Sequence, residues 1–343
     1  MNTVGELTGP AGPSGAAIIQ VHPSRRCNLA CRHCYSESGP GVRDELPSEV
    51  VCRTIRDAAT LGYGTLAVSG GEPFLYGGLL DILRCAKECS MHTTVTTNGS
   101  LLETNTLALV RDYVDVLAIS VDGPPALHNY IRASRQAFGR VCNGLASARA
   151  QGIPFGLIHT LTRDSWRHLP WIGRFAESQG ARLLQIHPIE GAGRAARLLT
   201  SGLPDTDVLA RSYLLTLALA AKYRGRMRIQ FDVVHREQVL NDPSIIYGSS
   251  SDLAPANAPA VVGTLVLETD GIVVPVSYGL SRRYAICDAT RDSLLQSWPR
   301  YLGDTHPGFA ALCRGLWEEI AENQEMGLFN WHELIVERSN SVG

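Results

Sequence analysis

From about residue 16 to residue 188 the chain alternates two apolar patterns. Six short runs read as strands: "AAIIQVH" (16–22), "GTLAVSG" (64–70), "HTTVTTNG" (92–99), "VDVLAISVDG" (114–123), "PFGLIHTLT" (154–162) and "RLLQIHP" (182–188). Between them lie longer stretches with helical spacing. In "PSEVVCRTIRDAATLG" Val50, Val51, Ile55 and Ala58 share one face, and Gly62 is a stop signal. The stretches around "LLDILRCAKEC" and "TLALVRDY", and those near 136–151 and 165–179, complete the alternation. Parallel neighbours need crossover helices, so six such units predict an α/β fold with a parallel sheet. An open barrel and a doubly wound sheet both suit this order. In either, loops at the carboxyl ends of the strands build the active site.

Beyond residue 200 the pattern changes. Residues 204–224 read as a helix, and "RMRIQFDVV" as a further strand. "YGSSSDLAPANAPA" (247–260) has the composition of a loop. "GTLVLETDGIVVPVSYG" is a hairpin signal, two β-rich runs about an Asp-Gly pair. From about 292 the tail is helical.

Composition narrows the function. A formal charge of −2 argues against a nucleic-acid binder that works by bulk charge. No apolar run approaches membrane-spanning length, and "MNTVGELTGPAGPSGAA" lacks the marks of a signal peptide and reads as a flexible arm. Nine cysteines without an export signal point to a reducing, cytoplasmic setting, where clustered thiols serve as metal ligands or catalytic groups.

Three of those cysteines fall within "SRRCNLACRHCYSESGP". Cys27, Cys31 and Cys34 follow a C-x3-C-x2-C spacing in a loop after a strand, among Arg25, Arg26, Arg32 and His33. Nearby cations favour thiolate, the metal-binding form. Cys52, Cys85, Cys89 and Cys142 sit on helical stretches among apolar residues and read as inert. A structural zinc wants four protein ligands, and only His33 offers itself as a fourth. A [4Fe–4S] cubane also takes four thiolates as a rule, so three leave one iron open for a substrate or cofactor.

"CNLACRHC" resembles the signature of the radical S-adenosylmethionine superfamily, with His33 at a position that is usually aromatic. The resemblance implies a partial (β/α)6 barrel. It also implies one [4Fe–4S] cluster on Cys27, Cys31 and Cys34, whose open iron chelates S-adenosylmethionine. Reductive cleavage of that cofactor would yield a 5′-deoxyadenosyl radical that takes a hydrogen from substrate. "SGGEP" resembles the family segment in which Gly70, Gly71 and Glu72 hold the methionine ammonium. Asn98 of "TTNG", with Ser120 and Asp122 of "SVDG", are short polar groups at successive strand ends, suited to ribose hydroxyls. "LHNYIRASRQAFGRV" resembles the segment whose arginine grips the methionine carboxylate, here Arg132. Thr160 on strand five, and Gln185 and His187 on strand six, complete the candidate lining. Thr160 and His187 are expected to contact cofactor. Taken singly, Asn98 and Asp122 read equally well as turn residues, and His187 as a packed one.

The segments "IHPIEGAGRAARL" and "LVLETDGIVVPVSYG…YAICDATRDSLLQSW" resemble the SPASM/twitch subgroup. The expected domains are an arm at 1–15, the barrel at 16–235, and a small α+β C-terminal module at 236–343. "VVPV" and the run Val261, Val262, Gly263 stand where that subgroup carries cluster cysteines. Only Cys287 and Cys313 remain after residue 142, so the module is expected to hold no auxiliary cluster. Cys287, beyond the hairpin, is then a candidate hydrogen donor to the substrate radical, against the plainer reading of a buried structural cysteine. The resemblance implies a flavodoxin- or ferredoxin-type electron donor. The substrate is expected to be a ribosomally made peptide, recognised by a separate protein or by the C-terminal part because the cysteines begin at residue 27. The alternatives are a sugar, nucleoside or amino acid as substrate, and a metal-binding protein without catalysis.

Overall fold

The computed structural model describes residues 17–242 and 257–341. The expected arm at 1–15, and residues 247–256 of the expected loop, lie outside them. The strand and helix runs appear in the order the pattern predicts: β1 (Ile18–Val21), α1 (Ser48–Thr60), β2 (Thr65–Val68), α2 (Leu79–Glu88), β3 (His92–Thr97), α3 (Thr104–Val110) and β4 (Val116–Ser120). Two helices follow, α4 (Pro125–Ile131) and α5 (Ala137–Ala150), then β5 (Phe155–Leu161), α6 (Leu169–Gln179) and β6 (Leu183–Pro188). The short α4 is absent from the pattern. It opens on the Pro124–Pro125 pair and delivers His128 and Arg132 to the mouth of the sheet.

The parallel array is longer than six. The helix Thr206–Tyr223 crosses over to β7 (Arg228–Phe231), which pairs in parallel with β6. β8 (Val234–His235) leaves the sheet and pairs with Leu328–Phe329. The hairpin forms as expected from β9 (Thr264–Leu267) and β10 (Ile272–Pro275), with β11 (Cys287–Asp288) on its outer edge. This hairpin continues the barrel sheet: β9 pairs in parallel with β1, Val21 opposite Leu267. The result is one ten-stranded sheet, ordered β11-β10-β9-β1-β2-β3-β4-β5-β6-β7. Its two ends, β11 and β7, are not paired with each other among the described residues. The α/β class and the open, barrel-like parallel sheet are therefore as expected. β1 would otherwise offer a free edge of backbone donors and acceptors, and β9 covers it.

Strand residues alternate between two faces. Ile19, Val21, Leu66, Val68, Val95, Leu117, Ile119, Leu157, Leu184, Ile186 and Phe231 are buried in one apolar core under the helices. The opposite parity carries the polar side chains Gln20, Thr94, Thr96, Ser120, Thr160, Gln185, His187 and Gln230, with Ala67, Ala118 and Ile158 among them. A second apolar cluster joins Val266 and Val274 to the C-terminal helices His306–Glu322 and Trp331–Ser341. No helix among the described residues is long and apolar enough to cross a membrane.

Candidate active site

The cysteine loop runs from β1 to α1 and is held by backbone at several points. Leu46 N–H donates to Pro23 O (2.8 Å), and Cys27 N–H to Gly39 O (3.2 Å). The Gly-Gly turn after β2 presses against the same loop. Gly71 N–H donates to Ser24 O at 2.8 Å and Glu72 N–H to Arg26 O at 2.9 Å. A Cβ on Gly71 would lie 2.1 Å from Arg26 O, and one on Gly70, which sits at φ +104°, 2.6 Å from Ser24 O. Both glycines are therefore required by backbone contact before any ligand is considered. The segment "GAGRA" clamps the far side of the loop. Arg194 donates to Cys31 O (2.7 Å) and Ser38 O (2.6 Å).

Cys27 and Cys31 are buried beside Leu29, and Cys34 packs against them. Burial pushes the Cys27 thiol up to about 12 and raises that of Cys31 as well, with the Arg132 charge opposing it. Such thiols ionise only against added positive charge. The surroundings supply donors for sulfur: Leu29 N–H to Cys27 Sγ (3.5 Å), Asn98 Nδ2 to Cys27 Sγ (3.9 Å) and Arg132 Nη1 to Cys31 Sγ (3.8 Å). Ser36 Oγ lies 3.4 Å from Cys34 Sγ. Among the described residues no three His, Cys, Asp or Glu side chains gather as a ready metal site. Thiolates that each take a different iron of a cubane need not converge on one point. The grouping of three thiols with N–H···S donors fits a cluster.

Glu72 is buried just after the Gly-Gly turn. Its carboxylate accepts from Thr97 Oγ1 (2.7 Å), Asn98 N–H (2.9 Å) and Phe74 N–H (3.3 Å). Burial still raises its carboxyl above the usual range, the hydrogen bonds opposing it. Asn98 is fixed in turn, its Nδ2 donating to Asn28 Oδ1 (2.9 Å) while its Oδ1 accepts from Ser100 N–H (2.9 Å). Asn28 and Ser100 carry no motif signal of their own.

Asp122 and Arg132 are expected to bind different parts of the cofactor. The structure joins them to each other instead. Arg132 Nε and Nη2 fork onto the two Asp122 oxygens at 2.6 and 3.2 Å, with both residues buried. His33 Nε2 lies 3.6 Å from Asp122 Oδ1, and His128 Nδ1 3.7 Å from Oδ2. Burial alone would raise the Asp122 carboxyl, but Arg132, His33 and His128 hold it well below its usual value. The remaining Arg132 nitrogen faces Cys31, so this ion pair connects the end of β4 to the cysteine loop. Ser120 is half-buried on the polar face, and Thr160 stands opposite His187 in the sheet register.

His187 belongs to a hydrogen-bonded group of its own, with Asp232 and Glu190. Its Nδ1 is 3.1 Å from Asp232 Oδ2, and its Nε2 is 3.2 Å from Glu190 Oε1. Gln185 and Gln230 also donate to Asp232, at 2.6 and 2.9 Å. Burial opposes the charge on His187, yet the two carboxylates raise it to about 10. Asp232 continues the polar parity of Gln230, which is the one sequence signal that could have marked it.

Cys287 is not brought to this mouth. It pairs with Val273 across β10–β11 and joins the helix-covered core with Leu265 and Leu267. Burial pushes its thiol up to about 12, and the charges acting on it are Asp292, Asp288, Asp57 and Arg300. Cys313 lies in the other apolar cluster. Two thiols in separate cores cannot share a cluster. Cys287→Ala combined with Cys313→Ala is expected to leave the iron content of reconstituted protein unchanged by colorimetric assay. A fall by one cluster equivalent would show a second site.

Residues 21–176 match the family model of the Radical SAM superfamily. That stretch of the chain is thus similar to the superfamily's enzyme domain. Among curated relatives it is 28% identical over 188 residues to Fe-coproporphyrin III synthase of Methanosarcina barkeri, covering 54% of this chain and 47% of that protein. It is 29% identical over 233 residues to the PqqA peptide cyclase of Ruegeria pomeroyi, covering 67% and 62%. The chain thus spans about half the length of the first of these relatives. In fold it resembles SuiB of Streptococcus suis solved with S-adenosylmethionine, with TM-score 0.67 and 16% identity over 87% of this chain and 68% of that one. The superfamily's cofactors are a [4Fe–4S] cluster and S-adenosylmethionine.

Proposed function

We propose that this chain is a radical S-adenosylmethionine enzyme that abstracts hydrogen from a ribosomally made peptide. The observation that carries the chemistry is the grouping of Cys27, Cys31 and Cys34 with sulfur-directed donors at the strand-end mouth. When bound, the cluster supplies the electron that cleaves S-adenosylmethionine to methionine and a 5′-deoxyadenosyl radical. The three cysteines would hold it, and Arg132 and Asn98 would stabilise the thiolate charge. Glu72 and the Gly-Gly turn would face the methionine ammonium, with Ser120 and Thr160 available to the nucleoside. His33, at the usually aromatic position, contacts Asp122 and would fix the floor under the cofactor. Residues 16–235 would form the barrel and 236–343 a module without its own cluster.

The peptide reading rests on the PqqA peptide cyclase, which aligns with two thirds of this chain. The synthase from Methanosarcina barkeri, whose name denotes a small-molecule product, favours the second reading, a metabolite substrate. An acidic flavodoxin- or ferredoxin-type donor suits the face beside Cys31, where Arg32 lies 4.5 Å over the Tyr130 ring and Arg135 shares the same surface pocket. The test is anaerobic reconstitution with iron and sulfide, then dithionite and S-adenosylmethionine. Formation of 5′-deoxyadenosine is expected by chromatography. A protein that holds a cluster and forms none would be the non-catalytic alternative.

A further inference from the structure

Each of the three loop cysteines meets a side-chain donor, and the donors differ in kind. Cys27 takes the Asn98 amide and Cys31 the Arg132 guanidinium, both from the motif segments. Cys34 meets a hydroxyl instead, Ser36 Oγ at 3.4 Å, and no other side-chain donor reaches it among the described residues. Ser36 Oγ lies in turn 2.8 Å from Ser38 Oγ. Both serines are buried, at 4% and 3% exposure, so little solvent competes for either hydroxyl.

The backbone is bent to make this chain of hydroxyls. Residues two apart on an extended strand share a face but stand roughly 6.6 Å apart, too far for their hydroxyls to meet. Glu37, between the two serines, takes φ +55°, a left-handed conformation uncommon for a residue with a side chain. The turn is held from several sides. Arg197 pairs with the Glu37 carboxylate at 2.5 Å. Arg194 N–H donates to Cys34 O (2.9 Å) and its guanidinium to Ser38 O (2.6 Å), so one residue fixes both ends of the segment. A Cβ on Gly193 would lie 2.3 Å from Tyr35 O, so this clamp sits directly on the turn. A strained backbone that its surroundings hold so firmly points to a function for the groups it places. The proton order follows from charge. A cysteine bound to iron is a thiolate and can only accept, so Ser36 donates to it and accepts from Ser38. A reduced cluster carries one more negative charge than an oxidised one. A donor to its sulfur therefore stabilises the reduced form more.

We propose that Ser36, oriented by Ser38, raises the reduction potential of a cluster held by Cys27, Cys31 and Cys34, and so sets how readily that cluster accepts an electron. This rests on the cluster reading given above. Ser36 acts through Cys34 and is a positioning residue. The test is an anaerobic redox titration of full-length reconstituted parent, Ser36→Ala and Ser38→Ala, with the reduced cluster counted by electron paramagnetic resonance. Ser36→Ala is expected to hold as much iron as the parent. At a fixed potential its ratio of reduced to oxidised cluster should be about tenfold lower, a downward shift of ~59 mV for one electron. Ser38→Ala leaves the Ser36 hydroxyl in place but unoriented, and its potential should fall between the other two. A parental potential in Ser36→Ala protein with a full cluster overturns the proposal. Loss of the cluster from Ser36→Ala overturns it too, because the serine would then be a support of the loop. So does a Ser38→Ala potential equal to the parent's, for the orienting role. A parent that takes up no iron would refute the cluster reading itself, an outcome distinct from an unshifted potential.

Discussion

Changing Cys27, Cys31 and Cys34 together to alanine is expected to take reconstituted protein from about four irons per chain to none, one cubane being lost. The brown chromophore and all 5′-deoxyadenosine formation should go with it. The size of the effect follows from the site. Cys27 and Cys31 are buried with Leu29, in surroundings that hold neutral thiols well above their usual range. Only a cationic metal centre makes these sulfurs anionic, and no neighbouring cysteine is placed to substitute. Cys52 and Cys85 lie together between α1 and α2, where Cys85 Sγ is 3.5 Å from Cys52 O. Iron and sulfide analysis with the visible spectrum checks the result. A triple variant that keeps a full cluster would mean that other residues ligate it. Circular dichroism should be unchanged, because the loop is fixed by backbone contacts at Ser24, Arg26 and Gly39 rather than by the thiols.

The strands were legible because their outward parity is mostly Val, Ile and Leu, a strong signal for a sheet buried under helices. β7 was legible as a strand but not as a parallel neighbour of β6. Its four residues leave the partner to be chosen by the crossover helix. β9 and β10 were legible as a hairpin from the Asp-Gly turn. Their attachment to β1 was not, since sheet-edge pairing between residues 18 and 264 leaves no local trace. The site divides in the same way. The cysteine spacing and the Gly-Gly-Glu turn are local and visible. The reason both glycines are needed, the carbonyls of Ser24 and Arg26, appears only when two loops meet. Asp122 and Arg132 were each visible, yet their pairing was not, because α4 had no clear pattern of its own. Cys287 was misplaced for want of one step. It faces Val273, and Val273 faces Leu267 and the helices, so its parity puts it on the wrong side of the sheet for the mouth.

The Asp122–Arg132 pair should dominate the stability of the cluster-free protein. Asp122→Asn removes the one carboxylate that, among the described residues, pairs with a guanidinium that is 6% exposed. Arginine cannot shed its proton, and its other contact, Cys31 Sγ at 3.8 Å, is a thiol kept neutral by burial. The expected loss is about 3–5 kcal/mol, the usual consequence of stranding one member of a buried pair. Arg132→Met strands the carboxylate instead, and a carboxylate can take up a proton. Its loss should be smaller and should depend on pH with opposite sign to the parent. In the parent, Asp122 lies below its unfolded value, so its stabilisation is present above about pH 4 and fades as pH falls through the depressed value. In Arg132→Met, burial raises Asp122 above its unfolded value, so stability falls as pH rises through that raised value. The double variant Asp122→Asn with Arg132→Met should recover much of what Asp122→Asn alone loses, since no full charge remains unpaired. Urea unfolding under reducing, metal-free conditions across pH 4 to 8 measures all four proteins. A loss below about 1 kcal/mol for Asp122→Asn would place the pair in water rather than in the core.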